Sequence, residues 1–289
     1  MSASRTGIRN GMRQLFASPT ATFGLCTLTL FVLMAIFAPF IAPHAPTAPN
    51  LLQRLSPPAW ITGDTAHLLG TDHLGRDILS RLIFGTRVAL VVGALGVLLA
   101  ATIGITLGTL AGYFGGWTDT IISRVVDTII AIPNVILYLA VLFAFGPSLT
   151  ILVLVIGGIN WTTFARVVRA EVLSMKRREF VEASRASGQR VPLIIIRHIL
   201  PNVIAPILVV GTLNVATVII LEASLSFLGL GVQPPTVTWG RMLADGRNYV
   251  ATAWWLATFP GIFITFLSLS LIFIGDWLRD LLDPRIQGR

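Results

Sequence analysis

The sequence predicts an all-α integral membrane protein with six transmembrane helices, and three observations carry that reading. Of 289 residues, 54% are hydrophobic and only 12% charged, against the ~25% charged of an average soluble domain. Mean hydropathy is +0.81. A bilayer core of about 30 Å needs roughly 20 mainly apolar helical residues, and runs of that kind lie at 21–42, 88–112, 122–145, 149–168, 202–227 and 256–276.

An even number of spans puts both termini on one side, and the charge pattern says which. The net charge is +8, yet the basic residues are distributed as membrane topology requires, which argues against nucleic acid. Arg5, Arg9 and Arg13 precede the first run, Arg166, Arg169, Lys176, Arg177, Arg178, Arg185, Arg190 and Arg197 surround the connection between the fourth and fifth, and Arg279, Arg285 and Arg289 close the chain. Excess Lys and Arg marks the cytoplasmic face, so both termini and that connection are expected inside. The first run follows a basic start but is too long for a signal-peptide core, and an uncleaved anchor is expected. The single Cys26 lies within it, which excludes internal disulfides and cysteine metal sites.

After the first run comes a proline-rich segment, "APHAPTAPNLLQRLSPPAW", that cannot hold a long helix. Next, "HLLGTDHLGRDILSRLIFGTR" predicts an amphipathic helix from about Asp77. The second span carries Gly93, Gly96, Gly104, Gly108 and Gly112, small residues that let helices approach closely in lipid. The third contains Pro133, and a proline here predicts a kinked helix and a hinge. The segment between the last two spans is too polar to cross, and Trp254 and Trp255 at its end suit an interfacial belt.

The connection "EASRASGQRVPLIIIRHILP" stands apart. Residues 178–187 favour a helix, and Gly188 is placed to stop it in a left-handed cap. Pro192 and Pro201 sit where new helices begin. The expected product is a short helix, a tight turn and a second helix leading into the fifth span.

This stretch resembles the EAA motif of ATP-binding cassette importer permeases, Glu-Ala-Ala, three residues, Gly, nine residues, Ile, any residue, Leu-Pro. Glu182, Ala183, Gly188, Leu200 and Pro201 match; Ser184 and His198 replace an alanine and an isoleucine. "LLGTDHLGRDILSRLIFGTRVAL", "ASLSFLGLGVQPPTVTWGRML" and "IGDWLRDLLDPR" are similar to the second permease subunit of dipeptide, oligopeptide and nickel importers. The resemblance implies the type I importer transmembrane-domain fold over residues 86–276, with the coupling loop at 171–201, an N-terminal region at 1–85 and a cytoplasmic tail at 277–289. It implies that Glu182, Ala183, Ser184, Arg185, Gly188, Pro192, His198 and Pro201 dock on a separate ATPase. Further implied partners are a second homologous permease subunit, a pair of ATPase subunits and an extracytoplasmic substrate-binding protein, in the cytoplasmic membrane and in contact with its lipid. The cargo implied is peptide, with nickel or another small solute as the alternative; a stand-alone secondary transporter or channel is a further rival.

No P-loop is possible, because G-x-x-x-x-G-K-[ST] requires a lysine and the only one, Lys176, lies between Met175 and Arg177. No catalytic set stands out either, so a transport subunit without its own ATPase site or bound cofactor is expected, ATP and Mg belonging to the partners. Ionisable residues inside a membrane point to function. Asp127 pairs with Arg124 or lines a pathway; Pro133 and Asn134 are hinge or gate candidates; Glu222 meets a substrate amine or a neighbouring span. Asn134, Asn160 and Asn214 are candidate interhelical glue. Asp72, His73, Arg76 and Asp77, with His67, suggest an ion-pair and helix-capping cluster at the outer mouth, and no metal is expected because nothing in the spacing fixes a coordination geometry. Asp276, Arg279, Asp280, Asp283 and Arg285 read as a charge-laced helix end.

Overall fold

A computed structural model describes residues 18–282; Arg5, Arg9, Arg13, Asp283, Arg285 and Arg289 lie outside the described residues. Helix α1 is Pro19–Ile36, opened by Ser18, whose Oγ accepts the Ala21 amide. It stops short of the expected residue 42. Pro39 lacks the donor that would continue the ladder, and a separate single turn, Ala38–Ile41, follows.

Helix α2 runs unbroken over 37 residues, Ile78–Phe114. The amphipathic stretch and the second span, expected as separate elements, are one helix, because no proline or cap falls between them. The third span is the largest departure. α3, Gly116–Ala131, and α4, Asn134–Phe145, meet at 87°. Ile132 is extended (φ −97°, ψ 130°) and Pro133 opens the next helix, as the steric limits before and at a proline dictate. The expected kink is a full break. Among the described residues there are therefore five helices long and apolar enough to cross a membrane, and a sixth span only if the bent pair counts as one.

Helix α5 is Leu149–Met175, α6 is Glu179–Ala186, and α7 is Val191–Phe227. α7 corrects a further expectation, since Pro201 lies inside a helix that continues from Val191. Five residues, Ile195–Ile199, form a π turn just before it, and the Leu200 amide bonds the Ile195 carbonyl. The wider turn makes room for the proline ring inside a continuous helix. α8 is Trp239–Gly246, and α9 is Trp255–Leu282, so Asp276, Arg279 and Asp280 sit on an extension of the last span.

The closest packing joins α2 to α5. A Cβ at Gly108 would lie 2.6 Å from the Ala165 carbonyl oxygen, and one at Gly112 would lie 2.8 Å from Val172 Cβ; only glycine permits this approach. Besides a small cluster of Val126, Trp161 and Ala165, two larger buried clusters lie among the described residues. One, including Phe164, Val168, Val172, Val181, Ile194 and Val203, ties α6 and the start of α7 to α2 and α5. The other, around Phe31, Ile78, Leu82, Trp239, Trp255 and Leu256, gathers α1, α2, α8 and α9 at the opposite end. Trp255 belongs to this core, only 4% exposed, with its indole donating to the Thr71 carbonyl at 3.2 Å. Trp254 alone keeps the exposure expected of an interfacial belt.

Candidate coupling loop and outer network

Helix α6 follows α5 after three residues, Lys176 to Arg178, and its cap is the one the residue order demands. Ser187 amide bonds Ala183 carbonyl, Gly188 amide bonds Arg185 carbonyl, and Gly188 takes φ +73°, a conformation that favours glycine. Val181 and Ile194 are fully buried and seat α6 and the head of α7 against the core. The remaining face is open. Glu182, Ala183, Arg185 and Gly188 are exposed, and the Glu182 side chain has no hydrogen-bond or ion-pair partner among the described residues.

Arg185 does not pair with Glu182. Its guanidinium lies over the Tyr113 ring, 5.5 Å from the centroid, a cation–π contact with the last turn of α2. Lys176 Nζ donates to the Gly112 carbonyl at 2.8 Å, favourable at a helix C-terminus. The loop thus touches the end of α2 from two directions. Ser184 and His198 approach at 3.4 Å between Oγ and Nε2, which places the motif's two substituted positions side by side. Pro192 lies in the first turn of α7, exposed, as is Pro201.

Asp127 and Arg124 form no ion pair. Arg169 of α5 instead pairs with Asp119 of α3, its Nη2 2.7 Å from Oδ2 and its Nε also bound. A cleft of about 440 Å³ between α2, α3 and α5 is lined by Ser123, Asp127, Arg166 and Arg169. Asn134 is exposed beside the Pro133 break. Glu222, 2% exposed, is turned away from the exterior and accepts from Ser226 Oγ in its own helix at 2.6 Å. Of the amides, Asn160 accepts from Tyr138 Oη at 2.7 Å between α4 and α5, whereas Asn214 bonds the Val210 carbonyl within α7.

At the other end the expected cluster forms and is larger than the sequence reading proposed. Asp72 binds Arg76 Nε at 2.6 Å and also Arg81. Arg76 and Arg81 reach Asp245 of α8 at 3.4 and 3.6 Å, and Arg241 joins it at 3.3 Å. Burial alone would push the Asp72 carboxyl up, but Arg81, the backbone amides of Arg76 and Leu74, and Arg76 outweigh it and hold the carboxyl below its ordinary value. The expected cluster did not include Arg81, Arg241 or Asp245, although the i, i+4 spacing of Arg241 and Asp245 is a visible signal. Asp77 caps α2, accepting from the Ser80 amide at 2.8 Å and Ser80 Oγ at 2.7 Å.

Comparison with known proteins fits this arrangement. Residues 104–288 match the family of the binding-protein-dependent transport system inner membrane component, and residues 8–58 match the N-terminal TM domain of oligopeptide transport permease C. The dipeptide transport system permease protein DppC of Alkalihalophilus pseudofirmus is 41% identical over 97% of this chain and 90% of its own length. DppC of Escherichia coli is 43% identical over 92% and 89%, and the probable D,D-dipeptide permease DdpC of Escherichia coli 38% over 95% and 91%. A crystal structure of an amino acid ABC transporter with histidines shares the fold, with TM-score 0.55 and 16% identity over 71% of this chain and 95% of that one. The chain belongs to the family of binding-protein-dependent transport system inner membrane components, the multi-pass permease subunits of ABC transporters.

Proposed function

We propose that this chain imports di- or oligopeptides by alternating access, as one of two homologous permease subunits driven by a separate pair of ATPases and fed by an extracytoplasmic binding protein. The relatives named for dipeptide transport support the cargo. One observation carries the coupling reading: α6 is buried on one side and unpartnered on the other, a surface shaped to be gripped. Glu182, Ala183, Arg185 and Gly188 face the ATPase, Ser184 and His198 brace the helix from behind, and Pro192 and Pro201 stiffen its link to α7. Both termini lie in the cytoplasm, on the side of this loop. ATP and Mg bind the partner subunits, whose two states must contact α6 differently to shift the permease. Asp127, Pro133 and Asn134 line or gate the pathway at the α3–α4 break, while Glu222 holds the outer part of α7.

The test is paired. Gly188→Pro cannot adopt φ +73°, and Glu182→Arg inverts an exposed charge. Both variants are expected to insert normally, lose co-purifying ATPase and lose uptake of a labelled dipeptide. Wild-type co-purification and uptake in both would overturn the coupling reading; unimpaired coupling without dipeptide uptake would overturn the cargo alone.

A further inference from the structure

The segment between α1 and α2 folds two histidines onto the carboxylate that caps α2. His67 Nδ1 lies 2.9 Å from Asp77 Oδ1, and His44 Nδ1 lies 3.8 Å from Asp77 Oδ2. The two imidazole rings are 4.6 Å apart, tilted by 38°. One ligand atom from each residue falls within 4.8 Å of the others.

Each group is fixed from behind. His67 Nε2 is 3.0 Å from Gln53 Oε1, an oxygen that also accepts from Asn50 Nδ2 at 2.9 Å. A carbonyl oxygen only accepts, so Nε2 carries a proton and Nδ1 is the atom turned to the carboxylate. Two lone pairs cannot face each other at 2.9 Å unless a cation, a proton or a metal ion, lies between them. Asp77 is held by the Ser80 amide and hydroxyl, and that same Ser80 Oγ accepts the His44 amide at 3.0 Å. Ligating histidines and carboxylates characteristically carry such outer-shell partners. His67 and Asp77 side chains are 11% and 1% exposed, whereas His44 is 42% exposed, which leaves one ligand free to rotate and one side open to solvent.

We propose that His44, His67 and Asp77 form a binding site for a divalent transition-metal ion of the zinc or cobalt class, on the face opposite the coupling loop. Two imidazoles and a carboxylate suit such ions, with a further position left for water or another donor. Ligands about 2.0–2.2 Å from a tetrahedral ion stand about 3.3 Å apart, so the site forms by rotation of His44 inward together with a widening of the 2.9 Å His67–Asp77 pair by a few tenths of an ångström. The bound ion joins the end of α1's connecting segment to the head of α2. The inference departs from the sequence expectation of no metal, which lacked His44, 23 residues from His67 in the chain and brought in only by the fold.

The test uses the full-length chain without a histidine tag, in lipid nanodiscs. Cobalt(II) is expected to give intense visible absorption of a four-coordinate site with one ion per chain, displaced by equimolar zinc. His67→Ala is expected to abolish it, and Gln53→Leu, which leaves all ligands in place, to weaken zinc binding by about 10-fold or more. Should His67→Ala fail to fold, His44→Ala, altering an exposed ligand, keeps the test open with an expected loss of the four-coordinate spectrum. Cobalt and zinc binding that is absent from the wild type, or unchanged in His44→Ala and Gln53→Leu, overturns the proposal and leaves a proton as the only cation there.

Discussion

The two ends of this molecule treat charge in opposite ways. At the end carrying α8, five charged side chains join one network, and Asp72 and Arg81 at its centre, only 4% and 3% exposed, satisfy one another while Arg81 also reaches Asp245. At the loop end, Glu182 and Arg185 stand in solvent with no carboxylate–guanidinium partner, although they are three residues apart on one helix. Buried charges must be paired within the chain because nothing else solvates them. Exposed unpaired ones cost the isolated chain almost nothing, which leaves them available to another protein. The network at the α8 end holds the chain's own segments together, and the loop leaves its charges unpaired within the chain.

This contrast breaks most visibly at the outer network. Asp72→Ala leaves the buried Arg81 guanidinium with only the longer contact to Asp245, and removing one partner of a buried pair costs up to about 3–5 kcal/mol; thermal unfolding of the detergent-purified chain is expected to show the largest loss here. Replacing Arg81 by Met in the same molecule should return part of that stability. A smaller effect is expected where helices touch: Gly108→Leu forces α2 from α5 and is expected to cost about 1–3 kcal/mol in the same measurement. Tyr138→Phe removes the bond to Asn160, worth roughly 0.6 kcal/mol for an interhelical hydrogen bond in a membrane protein. Smallest of all is Glu182→Ala, expected to leave stability within about 0.5 kcal/mol while reducing coupled transport, measured as dipeptide uptake in cells.

Acid sharpens the same distinction. Because the Asp72 carboxyl is held below its unfolded value, its contribution is complete above that unfolded value, about 3.9. It is lost as pH falls through the lower, folded one. Melting temperature followed through that range is expected to fall in the wild type, and to fall less in the Asp72→Ala, Arg81→Met double variant. Glu182→Ala should follow the wild-type curve.

What could be read from residue order alone followed from how local its causes are. The apolar cores of five spans, the Asp77 cap and the Gly188 turn each depend on neighbouring residues, and each is present, although the ends of the first, second and fifth spans differ from those expected. Pro133 was recognisable as a breaker, but the 87° angle depends on what α3 and α4 pack against. The π turn before Pro201 was invisible for the same reason: a proline can begin a helix or be absorbed into one, and the buried Ile194 and Ile199 decide which. Asp245 lies 169 residues from Arg76, and no periodicity links them. The coupling loop was the most readable region because its whole geometry is contained in about twenty neighbouring positions.

Helix α2 joins these two worlds. At about 1.5 Å per residue, its 37 residues form a rod of about 55 Å, nearly twice the thickness of a bilayer core of about 30 Å, and no proline interrupts it. Asp77 and Arg81 anchor one tip, while Arg185 and Lys176 lean on the other. A tilt of only about 5° about one tip would sweep the far tip through about 5 Å, by the same rise per residue. A displacement applied at one end of α2 would therefore be felt at the other, carried along a single helix rather than relayed from span to span.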